Sequence, residues 1–259
     1  MAKPKVLLLR APGTNCDLET AYAFEQAGAV AERIHLNRVI ENPALVEEFQ
    51  ILCLPGGFSY GDDISAGRIV ATQIRHHLRD AMRHFKEHEK LILGICNGFQ
   101  ILIKSGILLP DGDDGLPIAT LGWNDSQRFQ DRWVQLKSDD QKCVFLKGIE
   151  SLYLPMAHAE GKFSARDEAV LDTLEASGQL CLKYTALDGS DREIGFPDNP
   201  NGAQRNVAGV CDETGRIFGL MPHPERFIDP TQHPRWTRGE AGEVGAGLAM
   251  FENAVRYFA

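Results

Sequence analysis

The cysteine at position 96 has the neighbours that a nucleophile needs. It is the centre of Gly94-Ile95-Cys96-Asn97-Gly98, between an apolar run at 91–95 and a helical pattern that continues to residue 106. Hydrolases with a G-x-S-x-G turn hold their nucleophile on a strained turn from strand to helix, where small flanking residues let the two elements approach each other. The unpaired N–H groups at a helix start also favour thiolate over thiol. The pattern therefore predicts a nucleophilic Cys96, with the backbone N–H of Asn97 placed to bind an oxyanion.

Two alternatives to this assignment stay open in the sequence. Free cysteine is among the most buried residue types and often only fills a core, although the flanking glycines argue against that role for Cys96. Cys16, at the end of the first predicted strand, is a second possible nucleophile. It lacks glycines on both sides, so we place the nucleophile at Cys96.

A nucleophilic cysteine requires a base and a group that orients the base. The chain has eight histidines, of which four lie on one predicted helix and two in polar or turn-like surroundings. Of the other two, His158 and His223, we prefer His223 because a proline on each side restricts its backbone. Glu225 can lie on the same side of an extended segment and hydrogen-bond the far imidazole nitrogen. The spacing predicts a triad of Cys96, His223 and Glu225.

A second donor for the oxyanion is predicted at Gly56 and Gly57. Both glycines follow Pro55 at the end of an apolar run that we expect to neighbour the Cys96 strand. Without side chains, their backbone N–H groups can approach a ligand closely. An ordinary turn is the alternative for this tripeptide.

Short apolar runs alternate with helical patterns up to residue 106, which is typical of a parallel sheet with crossover helices. The predicted strands of this half are 5–13, 49–57 and 91–95, and its predicted helices are 15–29, 65–90 and 96–106. Later apolar runs predict mostly antiparallel strands at 132–137, 151–158 and 179–185, with a hairpin in 207–223. Two loops, 109–117 and 228–247, and a closing helix at 248–259 complete the pattern. We expect one α/β domain over residues 1–259 with an added antiparallel β portion.

Composition and charge exclude several classes of partner. The 27 Lys and Arg against 36 Asp and Glu give a net charge of −9 without a basic cluster, which argues against nucleic acid. The N-terminal apolar run of four residues, 6–9, is too short to span a membrane. The six cysteines are spread singly, unlike those of disulfide scaffolds or zinc sites. We expect a cytoplasmic protein with free thiols and no metal.

Three segments that carry these motifs together resemble class I glutamine amidotransferases. They are "LPGGFSYGDDISAGRI" at 54–69, "GICNGFQIL" at 94–102 and "MPHPER" at 221–226. Four further segments resemble the branch of that family in purine biosynthesis: "GTNCD" at 13–17, "WNDSQRF" at 123–129, "AHAEGKF" at 157–163 and "NPNGAQRNVAGV" at 199–210. The acidic 109–117 loop and the 228–247 segment depart from the family pattern.

The resemblance implies a flavodoxin-like, mostly parallel sheet flanked by helices, and a specific chemistry. Cys96 would attack the side-chain amide of L-glutamine, form a glutamyl thioester and release ammonia, after which His223 would activate water. Gln100, four residues after Cys96, would contact the substrate. The resemblance also assigns one loop to the glutamine pocket, with the residues Asn124, Ser126, Gln127, Arg128 and Phe129.

The resemblance further implies a partner. Members of the purine branch pass ammonia to a synthetase subunit that uses ATP and Mg²⁺ to convert formylglycinamide ribonucleotide to formylglycinamidine ribonucleotide. No G-x-x-x-x-G-K-[ST] loop occurs in this chain, so we expect no cofactor here and ATP on the partner. Whether a third small subunit joins this complex stays open. The alternative is a non-catalytic or peptidase-like relative of the same fold, but such relatives generally lack the H-P-E sequence after a late strand.

Overall fold

The computed structural model describes residues 3–138, 142–188, 190 and 192–259. Its strands are β1 Lys5–Arg10, β2 Val30–His35, β3 Ile51–Leu54, β4 Leu91–Ile95, β5 Ala119–Trp123, β6 Gln130–Ser138, β7 Ser151–His158, β8 Glu160–Ala165, β9 Leu182–Thr185, β10 Val207–Cys211 and β11 Ile217–Leu220. Its α-helices are α1 Asp17–Gln26, α2 Leu36–Glu41, α3 Arg68–Gln73, α4 Arg79–Glu87, α5 Asn97–Ser105, α6 Glu168–Ala176 and α7 Leu248–Arg256. A π-helical turn, Ile74–Leu78, joins α3 to α4.

Nine of the strands form one sheet, in the order β2-β1-β3-β4-β11-β10-β9-β6-β7. The first five strands of that order are parallel, and the remaining pairs are antiparallel. Strands β3, β4 and β11 are buried along their whole length, as expected for parallel strands covered on both faces. The predicted α/β architecture, with a parallel part and an added antiparallel part, is therefore confirmed.

Two features of the parallel half differ from the sequence-based expectation. Strand β2 was not predicted, because its sequence VAERIH is polar and no residue of it is fully buried at this sheet edge. Helix α1 was predicted, but its periodic residues Leu18 and Tyr22 are 63% and 46% exposed. Thr20 and Phe24 face the core instead.

The antiparallel half contains the three predicted single strands as β6, β7 and β9, the predicted hairpin as β10 and β11, and additional elements. Strand β11 pairs with β10 on one side and with β4 on the other, so it joins the two halves. The predicted hairpin turn is present, with the N–H of Gly215 donating to the carbonyl of Asp212 at 3.1 Å. Strands β5 and β8 form a separate two-stranded sheet that sequence reading missed, and it missed α6 as well.

The two predicted loops contain no strand in the part of the chain that the structure describes. Arg75 anchors the acidic loop through two bonds to the carboxylate of Asp111, both 3.0 Å. The 228–247 segment contains only two 3₁₀ turns, Pro230–Gln232 and Trp236–Arg238. Among the described residues, no helix is long and apolar enough to cross a membrane.

Candidate active site

The carboxyl ends of adjacent parallel strands bring the predicted site together. Leu54 of β3 pairs with Gly94 of β4, and Ile95 of β4 pairs with Leu220 of β11. The residues that follow these strands therefore emerge at the same edge: Gly56 and Gly57 after β3, Cys96 after β4 and His223 after β11. In open α/β sheets this edge is where ligands bind.

The backbone at Cys96 is strained in the way that the sequence predicts. Cys96 has φ 51° and ψ −105°, a combination that L-residues rarely adopt and that costs about 1–3 kcal/mol. The flanking glycines permit the turn. A Cβ atom on Gly98 would lie 1.8 Å from the carbonyl oxygen of Leu54, and one on Gly94 would lie 2.7 Å from the carbonyl oxygen of Gly98. The strand and the helix are in such close contact that no side chain fits between them.

His223 and Glu225 form a buried pair. The Nδ1 atom of His223 lies 2.6 Å from Oε1 of Glu225, and both side chains are at most 3% exposed. In this contact the Nδ1–H of His223 donates to the Glu225 carboxylate, which fixes the orientation of the ring and leaves Nε2 as the nitrogen that can act on a substrate. Within the described chain, Nε2 of His223 has no hydrogen-bond partner. The pair is thus an imidazole with a fixed orientation and one available nitrogen.

Electrostatics hold His223 in its charged form. Burial by itself would lower the pKa of His223, but the Glu225 carboxylate and then the thiols of Cys96 and Cys16 raise that pKa well above its usual value. An imidazolium in this position can give a proton to a leaving group, as a general acid does.

Two backbone N–H groups at this edge are available as oxyanion donors. The N–H groups of Gly57 and Asn97 donate no hydrogen bond within the described residues, whereas that of Cys96 donates to Leu220 at 2.8 Å. Gly57 has φ +146°, and a Cβ atom there would lie 2.7 Å from the carbonyl oxygen of Gly13. The neighbouring Gly56 is equally confined, since its Cβ would lie 2.8 Å from Cε1 of His223.

Two cavities meet at Cys96. The larger has about 220 Å³ and is lined by eleven residues, which include Cys96, Gln100, Asp62, His158 and Glu160. The smaller has about 80 Å³ and contains both Cys96 and His223, together with Phe129. Drug-sized ligands occupy pockets of about 300–1,000 Å³, so the larger cavity suits a single amino acid.

The predicted pocket residues divide into two groups. Asn97 and Gln100 are buried and bonded to each other at 2.9 Å, and Gln100 also donates to the carbonyl of Glu160. Phe129 lines the smaller cavity. By contrast, Asn124 is buried within its own loop, where its amide donates to Arg128 and to His158. The exposed residues Ser126, Gln127 and Arg128 line neither of the two cavities.

The structure adds one histidine, His158, and two acidic residues, Asp62 and Glu160, to the predicted site. His158 lies at the end of β7, and burial, followed by the nearby His223, lowers its pKa to about 3. Its Nδ1 contacts Oδ1 of Asn124 at 3.1 Å, and its buried Nε2 has no partner among the described residues. The backbone and side chain of Glu160 hold Gln100 and Lys104. His158 and Glu160 belong to the "AHAEGKF" motif of the sequence analysis, but sequence spacing alone did not show that this motif lies beside Cys96.

Cys16 also lies at this site. It is 1% exposed, accepts a hydrogen bond from Nη2 of Arg226 at 3.1 Å and donates to Asn15 at 3.2 Å. It shares the smaller cavity with Cys96. Burial raises the pKa of Cys16, which keeps it a thiol. Both cysteines precede a helix, Cys16 before α1 and Cys96 before α5, but of the two only Cys96 has a strained backbone.

The sequence matches known glutamine amidotransferases along nearly its whole length. Residues 3–258 match the family described as the CobB/CobQ-like glutamine amidotransferase domain. A protein of Dehalococcoides mccartyi named "Phosphoribosylformylglycinamidine synthase subunit PurQ" is 48% identical over 258 residues, which cover 99% of this chain and 98% of that protein. The chain belongs to the PurQ family of glutamine amidotransferases. A protein of the same name from Methanococcus maripaludis is 41% identical, over 98% of this chain and 97% of its own length.

Solved structures agree with this family. A chain in the structure titled "Structure of PurLQS from Thermotoga maritima" superposes with a TM-score of 0.74 and 29% identity, and the match covers 100% of both chains. A glutamine amidotransferase of Thermotoga maritima has a TM-score of 0.55 at 14% identity, over 92% of this chain and 83% of that one. At 14% identity, the second match shows only a shared fold. The predicted family and fold class are both confirmed.

Proposed function

We propose that this chain is the glutaminase subunit of a phosphoribosylformylglycinamidine synthase. It hydrolyses glutamine to glutamate and ammonia, and an ATP-dependent synthetase partner uses the ammonia to convert formylglycinamide ribonucleotide to formylglycinamidine ribonucleotide. The observation that carries this proposal is the strained Cys96 at the same sheet edge as the His223–Glu225 pair, in a chain 48% identical to a PurQ subunit.

The geometry supports a complete catalytic cycle. The Cys96 sulfur, as a thiolate paired with the His223 imidazolium, attacks the side-chain amide carbon of glutamine, and the N–H groups of Gly57 and Asn97 stabilise the oxyanion. The imidazolium of His223 gives its proton to the leaving nitrogen, so ammonia departs and a glutamyl thioester remains. The neutral imidazole then takes a proton from water, which attacks the thioester carbonyl. The intermediate expels the thiolate, the new carboxyl group loses its proton to solvent as glutamate leaves, and the thiolate–imidazolium pair is restored.

We assign the larger cavity to the bound glutamine. Gln100, which accepts a hydrogen bond from Asn97, is a polar group of its wall, and the carboxylates of Asp62 and Glu160 suit the α-ammonium group of an amino acid. Phe129 lines the smaller cavity, while Asn124 acts indirectly by fixing the loop and His158. Ser126, Gln127 and Arg128 contribute through the backbone of that loop.

The rim of the site supports the proposed partner. Phe58, Trp123 and Phe129 line the two cavities and are 44%, 54% and 50% exposed. Adjacent exposed aromatic side chains are typical of interaction surfaces. A synthetase docked on this rim would receive ammonia where it is made. We assign ATP and Mg²⁺ to that partner, and we infer a cytoplasmic location from the proposed reaction.

The test is reconstitution of the complex. The purified chain is combined with the synthetase subunit of its own organism, with and without a third small subunit, and supplied with glutamine, ATP, Mg²⁺ and formylglycinamide ribonucleotide. We expect glutamate and formylglycinamidine ribonucleotide in a one-to-one ratio. We also expect slow glutamate release by the chain alone, because a single oxyanion donor turned away costs about 100- to 1,000-fold in rate.

Two results would contradict the proposal. Absence of glutamate in the complete mixture would refute the glutaminase activity. Glutamate without formylglycinamidine ribonucleotide, in a mixture whose synthetase is active with free ammonia, would refute the assigned pathway.

A further inference from the structure

Three cysteines that are distant in sequence meet in the antiparallel half of the core. Cys143 precedes a 3₁₀ turn, Cys181 directly precedes β9, and Cys211 ends β10. Their sulfur atoms all lie within 4.8 Å of one another. None of the three is exposed or in a disulfide, and none lines a cavity that contains Cys96. We call Cys143, Cys181 and Cys211 the three-thiol cluster.

Two sulfurs of the cluster lie near backbone carbonyl oxygens. Sγ of Cys181 lies 4.0 Å from the carbonyl oxygen of Gly209, and Sγ of Cys211 lies 3.8 Å from that of Gly178. Burial raises the pKa of Cys143 and of Cys181 well above the usual value, so these two sulfurs carry protons. A cation that binds thiolates would displace these protons to solvent.

The number and spacing of the sulfurs restrict which cation fits. A metal–sulfur distance of about 2.3 Å in a trigonal plane requires sulfurs about 4.0 Å apart, which small side-chain movements achieve here. No His, Asp or Glu completes the cluster in the described part of the chain. The adjacent carboxylate of Asp212 is occupied by Thr214 and by Lys86. Structural zinc takes four ligands, whereas soft thiolate sites also select Cu(I).

We propose that the three-thiol cluster is a binding site for a soft monovalent cation of the Cu(I) type, held by three sulfurs and separate from the glutaminase site. Binding of one Cu(I) to three thiols releases three protons and leaves a net charge of −2. Lys142 offsets part of that charge, because its ammonium group lies 2.6 Å from the carbonyl oxygen of Ser177, next to Gly178. The ion enters through local opening of the loops that border the cluster.

The test is an anaerobic titration of the full chain with Cu(I), delivered from a coloured chelator of known affinity. Other thiols also bind copper, so the background chain carries Cys16→Ala and Cys96→Ala. We expect one equivalent of Cu(I) to bind tightly to this background. Cys181→Ala should weaken the affinity by at least about 100-fold, since loss of even an indirect partner costs 10- to 100-fold. The matched control is Cys53→Ala, which removes an equally buried single thiol of β3 and should leave the affinity unchanged.

A second readout separates binding from folding. Loading with Cu(I) should raise the melting temperature of the background chain and of Cys53→Ala but not that of Cys181→Ala. Cys143→Ala repeats the test with a ligand that lies outside every strand. The proposal is overturned if these cluster variants bind Cu(I) as tightly as the background, or if the background binds none. It is also overturned if Zn²⁺ binds more tightly than Cu(I). Either of the first two results would mean that the thiols only fill the core, and the third would mean that the site prefers a different metal.

Discussion

Two buried histidines at the site have opposite pKa shifts, and these shifts give them different roles. The Glu225 carboxylate outweighs burial at His223 and raises its pKa well above the usual value. His158, whose Nδ1 contacts a neutral amide, has a pKa lowered to about 3 by burial and then by His223. These shifts suit His223 to the proposed role of proton donor, and they keep His158 a neutral group, which contacts Asn124 of the adjacent loop.

The charge of Glu225 can be tested without loss of the hydrogen bond. Glu225→Gln keeps an acceptor for Nδ1 of His223 but removes the main cause of the raised pKa. We expect glutamine-dependent kcat/KM to fall about 100-fold, less than in His223→Ala, because positioned acid–base groups contribute 10²- to 10⁴-fold. The alkaline limb of the pH profile should move to lower pH. An unchanged profile, equal to that of the exposed control Glu213→Gln, would exclude this role.

The lowered pKa of His158 predicts how the free energy of unfolding depends on pH. Between about pH 6.5 and about 3, the unfolded chain protonates this histidine and the folded chain does not. Stability from this group is thus complete above pH 6.5 and falls by about 1.4 kcal/mol per unit as the pH decreases. Urea unfolding at pH 7, 6 and 5 should show a smaller pH dependence in His158→Gln than in wild type. The exposed control His77→Gln should follow wild type, and identical slopes for all three would refute the assignment.

At the scale of elements, the turn between β4 and α5 depends on contact between α5 and the end of β3. A Cβ atom on Gly98 would lie 1.8 Å from the backbone oxygen of Leu54, which cannot move without disturbing β3. Gly98→Ala should therefore destabilise the fold by about 3 kcal/mol, as overpacking does, and abolish glutamine hydrolysis. The control is Gly195→Ala, because nothing lies within 4 Å of its Cβ position. Equal melting temperatures for Gly98→Ala and Gly195→Ala would contradict the close contact between α5 and the end of β3.

The contacts between elements also explain which features of the fold and of the site the sequence could predict. Cys96, His223 and the glycine pair each end an apolar run, so local pattern placed them at one sheet edge, and the structure brings them together there. The buried face of α1 was not predictable, because it depends on contacts with distant elements such as Phe251. The three-thiol cluster was hidden for the same reason, since its members lie 30 or more residues apart. Residues that line a cavity from a distant strand, such as His158, can be identified only from the tertiary structure.

At the scale of the whole molecule, one end of the sheet combines catalysis with an exposed aromatic rim. The carboxyl ends of β3, β4 and β11 supply the proposed oxyanion donors, the nucleophile and the base. Phe58 and Phe129 lie at the same end, with ring centroids 6.3 Å apart. A partner that covers this rim controls both the release of ammonia and the access of water. Ammonia production therefore belongs to this chain, and ammonia use belongs to the synthetase.

Cys96→Ala in the reconstituted complex tests that separation most directly. The measurement is the rate of formylglycinamidine ribonucleotide formation with glutamine and, separately, with ammonium as the nitrogen source. Cys143→Ala, the same change at a buried thiol far from the site, is the control. We predict that Cys96→Ala loses at least about 1,000-fold of the glutamine-dependent rate and keeps the ammonia-dependent rate of wild type. Glutamine-dependent synthesis at the wild-type rate in Cys96→Ala would contradict the account.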